Sequence, residues 1–192
     1  MNGARTVVFA TSNDHKLAEA SAVLGPLGFT VERVDVELLE IQETSLEKIA
    51  RFKLGHAPPT KSPLFAEDTG LFVQGLKNFP GPYAAFVFKT LSYPGILKLM
   101  EGLEDRTAYF ESVIAYRDLE GEVHSFVGRA DGWIAQQASG TQWGFDPIFV
   151  PDHPELNPDH QTFAVMGAEV KNQISHRARA LAALRDYLVD HY

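Results

Sequence analysis

The apolar positions of this chain change period as they run along it, and those changes outline its elements. Residues 6–10 carry Val7, Val8 and Phe9 as an unbroken apolar run, the mark of a buried strand. A polar turn, Thr11-Ser12-Asn13-Asp14, follows. Leu17, Ala20, Ser21 and Leu24 then recur at helical spacing until Gly25-Pro26 stops the pattern. Residues 30–34 predict a second strand. Thr44 with Glu47 three residues on is a capping-box pattern, and the helix it opens puts Leu46, Ile49, Ala50 and Lys53 on one stripe. Residues 64–66 predict a short strand ending at Glu67-Asp68-Thr69-Gly70, and residues 71–73 another.

Gly81-Pro82 breaks the chain before helical patterns at 84–89 and 95–102. Residues 107–117 and 123–130 predict a hairpin joined through Asp118-Leu119-Glu120-Gly121, with residues 133–135 extending the sheet. Residues 148–150 predict a last strand. A helix over 172–188 has Ile174, Ala178, Leu181, Leu184 and Leu188 on its apolar side. Strands and helices alternate at first and then strands cluster, which predicts an α/β fold with a mixed sheet.

Length and composition narrow the function classes. The 192 residues suit a single domain, 1–192, built as one body or as two lobes. Seventeen Lys and Arg against 25 Asp and Glu leave a net charge of −8, which argues against a nucleic-acid polymer as partner. A small phosphorylated ligand remains open, because a few local cations and a metal suffice. The absence of cysteine removes disulfides and thiolate metal sites. The first apolar run is too short for a secretion signal, and no stretch reaches the ~18 to 20 apolar residues that span a bilayer. The expectation is a cytoplasmic protein with no membrane partner.

Several clusters offer chemistry. Thr11, Ser12 and Asn13 stand at a helix N-terminus, where free N–H groups favour an anion, and Lys16 in the first turn reaches the same place. The alternative is an ordinary cap at Ser12 or Asn13 with an exposed lysine. Lys53 lies inside an apolar arc, so either its ammonium has an anionic partner or its stem packs while the charge reaches water. Glu67 and Asp68 at a strand end are a common way to hold magnesium beside phosphates, with Glu40 and Glu43 in a separate segment that can converge on them; otherwise the pair solvates a turn. Trp143-Gly144-Phe145-Asp146-Pro147 places two aromatics around a glycine, a clamp for a flat base or simply core. Ser175-His176-Arg177 opens the last helix, with Arg177 inside the apolar arc and able to donate to a carbonyl, and His176 on the far side; Arg185 falls in the same arc. No P-loop, zinc-protease helix, nucleophile elbow or dinucleotide fingerprint is present.

Taken in order, Phe9-Ala10-Thr11-Ser12-Asn13-Asp14-His15-Lys16, Ala66-Glu67-Asp68-Thr69-Gly70, Phe79-Pro80-Gly81-Pro82-Tyr83, Trp143-Gly144-Phe145-Asp146-Pro147 and Ser175-His176-Arg177 resemble the signatures of the inosine triphosphate pyrophosphatases. Serine stands where that family usually has glycine at Ser12, and the loop at Gly140-Thr141-Gln142 is less glycine-rich than in many relatives. The resemblance implies an elongated mixed sheet flanked by helices, two lobes with a central active-site cleft, and a homodimer. It implies hydrolysis of non-canonical purine nucleoside triphosphates (ITP, dITP, XTP) to monophosphate and pyrophosphate with Mg2+. Thr11, Ser12, Asn13, Asp14, His15 and Lys16 would cradle the triphosphate, with Lys53 adding phosphate contact. Asp68 would bind magnesium, Asp68 or Glu67 beside it would accept the proton, and Thr69 would lie near the substrate. Glu40 would be the second metal ligand, with Glu43 as fallback. Trp143, Gly144, Phe145, Asp146, Lys171, His176 and Arg177 would form the base pocket. Two other readings stay open: a pyrophosphatase for pyrimidine or modified nucleotides, and a non-catalytic nucleotide sensor.

Overall fold

The computed structural model describes residues 5–36, 41–141 and 143–191. Strand β1 (Arg5–Ala10) is buried from Val7 onward. It pairs in parallel with β2 (Phe29–Val34) along its whole length, and with β3 (Leu64–Val73) through Val8 to Leu64 and Phe9 to Phe65. Parallel neighbours need a crossover, and helix α1 (Asp14–Leu24) provides the one from β1 to β2. Helix α2 (Leu46–His56) precedes β3. Strand β3 is one continuous element of 10 residues, where two short strands are predicted from the sequence. Thr69 and Gly70 do not turn the chain, because β4 (Phe79–Gly81) pairs antiparallel with the far end of β3 and keeps it extended. A Cβ at Gly70 would come within 2.9 Å of the Gly81 carbonyl oxygen, so the close approach of β4 requires glycine there.

Long strands β5 (Thr107–Arg117) and β6 (Val123–Ile134) follow, then β7 (Phe149–Pro151). The order β2-β1-β3-β5-β6-β7, with β4 also on β3, makes a mixed sheet of seven strands, as the alternating and then clustered pattern predicts. Three local expectations change. The cap of α2 is Ser45, whose hydroxyl accepts from Lys48 N, and not Thr44. The helical patterns after Gly81 become α3 (Ala84–Thr90) and α4 (Ser92–Leu99). The last helix is two: α5 (Phe163–Ile174), interrupted at Gly167 with φ 79°, and α6 (His176–His191), separated by the extended Ser175.

The predicted single domain divides into two compact units. Residues 1–68, 112–128 and 177–192 form unit 1, which holds α1, α2 and α6 with β1, β2 and the adjoining strand segments. Its core joins Val7, Phe9, Leu24 and Phe65 to Ile114, Tyr116, Leu181, Leu184 and Leu188. Residues 69–111 and 129–176 form unit 2, whose separate core joins Leu71, Val73, Ile96 and Met100 to Phe110, Phe145, Phe149 and Phe163. Two closed cores explain why each unit is compact on its own. No helix among the described residues is long and apolar enough to cross a membrane.

Candidate active site

Unit 1 brings together three acids and three cations drawn from four elements. Lys53 occupies the buried stripe of α2 that the sequence predicts, beside Leu46, Ile49 and Ala50. Its ammonium donates to Asp68 Oδ1 at 2.5 Å, and both side chains are about one-tenth exposed or less, at 8% and 10%. The buried lysine therefore has an anionic partner, and the alternative of a charge reaching water is excluded. On the same strand Glu67, with a side chain 1% exposed, meets Arg177. Arg177 Nε donates to Glu67 Oε1 at 2.9 Å and Oε2 at 3.1 Å, and its NH1 donates to Glu19 Oε2 at 2.7 Å. Lys16 Nζ lies 3.4 Å from Glu67 Oε2. The buried Ser112 hydroxyl donates to Glu67 Oε1 at 2.5 Å.

Burial and neighbours set the charges in this group. Burial, opposed by Glu67, lowers the Lys16 pKa from its ordinary 10.5. Burial alone would also lower that of Arg177, but Glu67 and Glu19 overcome it and hold the guanidinium above its ordinary value. An Arg so paired stays charged through any working pH. Glu67, Asp68 and Glu19 balance Lys16, Lys53 and Arg177 charge for charge.

At the start of α1 the structure divides the expected phosphate cradle. Asn13 is the N-cap: its Oδ1 accepts from His15 N at 2.9 Å and Lys16 N at 3.2 Å. Thr11 is buried, and its hydroxyl accepts from Asn13 N, fixing the turn. Ser12, Asp14 and His15 are exposed, and Asp14 is bound by Arg33. Lys16 of this stretch reaches the carboxylate cluster. Glu43 is committed elsewhere: Oε1 accepts from the backbone N–H groups of Thr44 and Ser45, and Oε2 from Lys48 Nζ. The Thr44 amide and Lys48 lower its pKa to about 2. These contacts secure the start of α2 and engage both carboxylate oxygens of Glu43, the fallback metal ligand. Glu40 lies outside the described residues.

Unit 2 holds the other expected groups. Lys171 Nζ donates to Asp146 Oδ2 at 2.5 Å, a second buried ion pair. His176 is buried, not exposed, because its ring stacks on Phe110 at 4.6 Å with the planes 16° apart. Trp143 and Phe145 do not act as a pair. Gly144, with φ 74°, turns the chain so that Phe145 enters the core edge-on to Phe88 at 5.5 Å, while Trp143 remains 51% exposed. The two aromatics of this motif thus differ in setting, one packed in the core and one at the surface against Phe88. Thr69, half-buried, is the first residue of this unit on β3.

Two members of the unit 1 cluster escape a reading of the sequence. Glu19 carries a signal in hindsight, since it stands three residues after Lys16 on the same helix. Ser112 is a polar residue on the β5 face that Ala108, Phe110, Ile114 and Tyr116 bury. Arg185, which periodicity cannot separate from Arg177, binds its neighbour Asp186 near the surface.

The chain is similar to known proteins in sequence and in fold. The sequence model of the Ham1 family matches residues 7–187. A dITP/XTP pyrophosphatase of Thermococcus kodakarensis is 46% identical over 184 residues, covering 95% of this chain and 96% of that protein. One of Methanopyrus kandleri is 43% identical, covering 94% of this chain and 95% of that protein. Among solved structures, the Ham1 protein of Staphylococcus aureus aligns with a TM-score of 0.82 at 27% identity, covering 98% of this chain and 100% of that one.

Proposed function

We propose, from the premise that this chain belongs to the Ham1 family, that it hydrolyses non-canonical purine nucleoside triphosphates to the monophosphate and pyrophosphate. The observation that carries the reading is the buried group of three acids and three cations around Glu67 and Asp68. Buried ions are expensive, and an interior gains more stability from apolar residues of the same volume. Their retention beside a helix start suits a site that receives a polyanion.

Water attacks the α-phosphorus, the bond to the bridging oxygen of the β-phosphoryl group breaks, and pyrophosphate leaves. Lys16, Lys53 and the N-terminus of α1 stabilise the charge that moves onto the leaving oxygens, at positions already fixed before substrate arrives. Arg177, engaged by Glu67 and Glu19, is assigned to the 6-oxo group of the base, where its donors meet a carbonyl. Asp68 takes the proton of the attacking water, help worth typically ~10²- to 10⁴-fold. Glu67 acts as the anchor that holds Lys16 and Arg177 in place.

Magnesium fits this donor set. The cluster is neutral by itself, so a triphosphate brings negative charge that the side chains do not balance. Among the described residues no group of three His, Asp or Glu side chains is placed to hold a metal. Magnesium does not need one, since it takes one or two carboxylates and completes its shell with water and phosphate oxygens. Asp68 would hold it, with Glu40 as second ligand; once bound, it screens the phosphate oxygens and acidifies a water.

Lys171 offers donors to the 6-oxo group of hypoxanthine or xanthine, and Trp143 offers one stacking face. Adenine presents an amino donor at that position, so donor would face donor, an error that binding penalises heavily. Guanine, which shares the 6-oxo group, is rejected at its 2-amino group by pocket shape. The enzyme works as a homodimer in the cytosol, where the nucleotide pool lies; sedimentation velocity decides the dimer, and a monomer at micromolar concentration would refute it.

The test is pyrophosphate release from ITP, dITP, XTP, GTP, ATP and dTTP with magnesium, for wild type and Asp68→Asn. Fast release from ITP and XTP, lost in Asp68→Asn, is expected. Preference for dTTP, or comparable turnover of ATP, overturns the base assignment. Binding without release would make the protein a sensor.

A further inference from the structure

We infer that Thr162 is a positioning residue for base selection, acting through the loop at residues 139–147 that carries Trp143 and Asp146. The inference rests on the base assignment above and deepens it. Thr162 stands at the N-cap of α5, where a threonine hydroxyl ordinarily accepts from the first-turn amides of its own helix. It makes no such bond. The hydroxyl, on a residue 4% exposed, instead donates to the Ser139 carbonyl at 2.9 Å, 23 residues back in the chain. The helix gives up its own side-chain cap to hold another segment.

The two ends of that loop are tied together and to α5. The Ser139 amide donates to the Pro147 carbonyl at 2.9 Å. Gly140, at φ 78°, lies so near the start of α5 that a Cβ there would come within 2.9 Å of Ala164. At the other end the Ala164 amide donates to the Asp146 carbonyl at 3.3 Å, and the Asp146 carboxylate pairs with Lys171 of the same helix. Thr162 supplies a side-chain fastening that can be removed without altering Trp143, Asp146 or Lys171. Base selection depends on such fastenings. A donor rejects the amino group of adenine only where it cannot turn aside, and a loop that shifts takes Asp146, and with it Lys171, out of register with the 6-oxo group.

Thr162→Val keeps the shape and loses the donor, whereas Thr162→Ser keeps the donor and loses a methyl. For both, kcat and KM are measured with ITP and with ATP. In Thr162→Val, the loss of one hydrogen bond is expected to raise KM for ITP about 10-fold with kcat within about 2-fold, and to lower the ITP-over-ATP preference in kcat/KM about 10-fold. Thr162→Ser retains most of the preference. Gly140→Ala, which crowds the loop off Ala164 with Thr162 intact, lowers it in the same direction and carries the test should the valine variant fail to fold. An unchanged preference in Thr162→Val overturns the inference, as does an equal loss in the Val and Ser variants or a fall in kcat shared equally by ITP and ATP. Time-resolved fluorescence anisotropy of Trp143, with the other tryptophan removed by Trp133→Phe, reads the loop without substrate. Greater Trp143 mobility is expected in Thr162→Val and not in Thr162→Ser, and equal mobility in all three proteins overturns the inference. Absence of ITP hydrolysis by the wild type would instead refute the proposed function, while the anisotropy would still decide whether Thr162 holds the loop.

Discussion

Replacing Lys53 by Met removes a buried charge while keeping the length and apolar stem of the side chain. The ammonium it removes sits 2.5 Å from Asp68 Oδ1, with the two side chains 8% and 10% exposed. Removing one partner of such a pair costs about 3 to 5 kcal/mol, because the remaining charge stays in a poorly solvated place. Lys53→Met and Asp68→Asn are each expected near the lower end, about 3 kcal/mol, because other charged groups stand close by. The double variant leaves no charge of this pair behind. It should therefore be less destabilised than the sum of the two, with a coupling of about 1 to 3 kcal/mol. Urea unfolding followed by circular dichroism measures all four proteins, and an unchanged denaturant slope licenses the comparison. Single variants within 0.5 kcal/mol of wild type, by the surface-substitution standard, would refute the claim that this pair is desolvated. Strict additivity would refute the claim that the two residues act as a pair.

Two further tests address neighbouring claims. Phe145→Ala empties part of the unit 2 core and should cost about 3 to 5 kcal/mol in unfolding, whereas Trp143→Ala should leave stability within about 0.5 kcal/mol and raise KM for ITP. Equal destabilisation by the two would contradict the division of roles at Gly144. For Glu43, the folded pKa of about 2 lies below the ordinary 4.5, so its carboxylate binds fewer protons folded than unfolded in that interval. Its stabilising contribution is fully present above pH 4.5 and is lost as pH falls through about 2. A carbon-detected titration of the Glu43 carboxyl with a midpoint near 4.5 would show that it does not hold the Thr44 and Ser45 amides.

The sequence by itself determined the local elements whose hydrophobic period matches their burial. The apolar run of β1, the stripe of α2 with Lys53 inside it, and the helical face of Leu181, Leu184 and Leu188 are visible because each period is a property of contiguous residues. The ordered motifs likewise placed Glu67, Asp68 and Arg177 among the chemical groups. Tertiary structure decided the partners. Glu67 meets Ser112 and Arg177 across separations of 45 and 110 residues, which no local pattern encodes. It also decided that β3 is a single strand, because β4 holds its far end, and that His176 is buried, because Phe110 covers it. Trp143 and Phe145 look equivalent in sequence. Their fates differ because one glycine at φ 74° turns one ring into the core and leaves the other at the surface. Period follows from the geometry of one backbone segment, whereas pairing depends on which distant segments the whole fold brings within hydrogen-bonding reach.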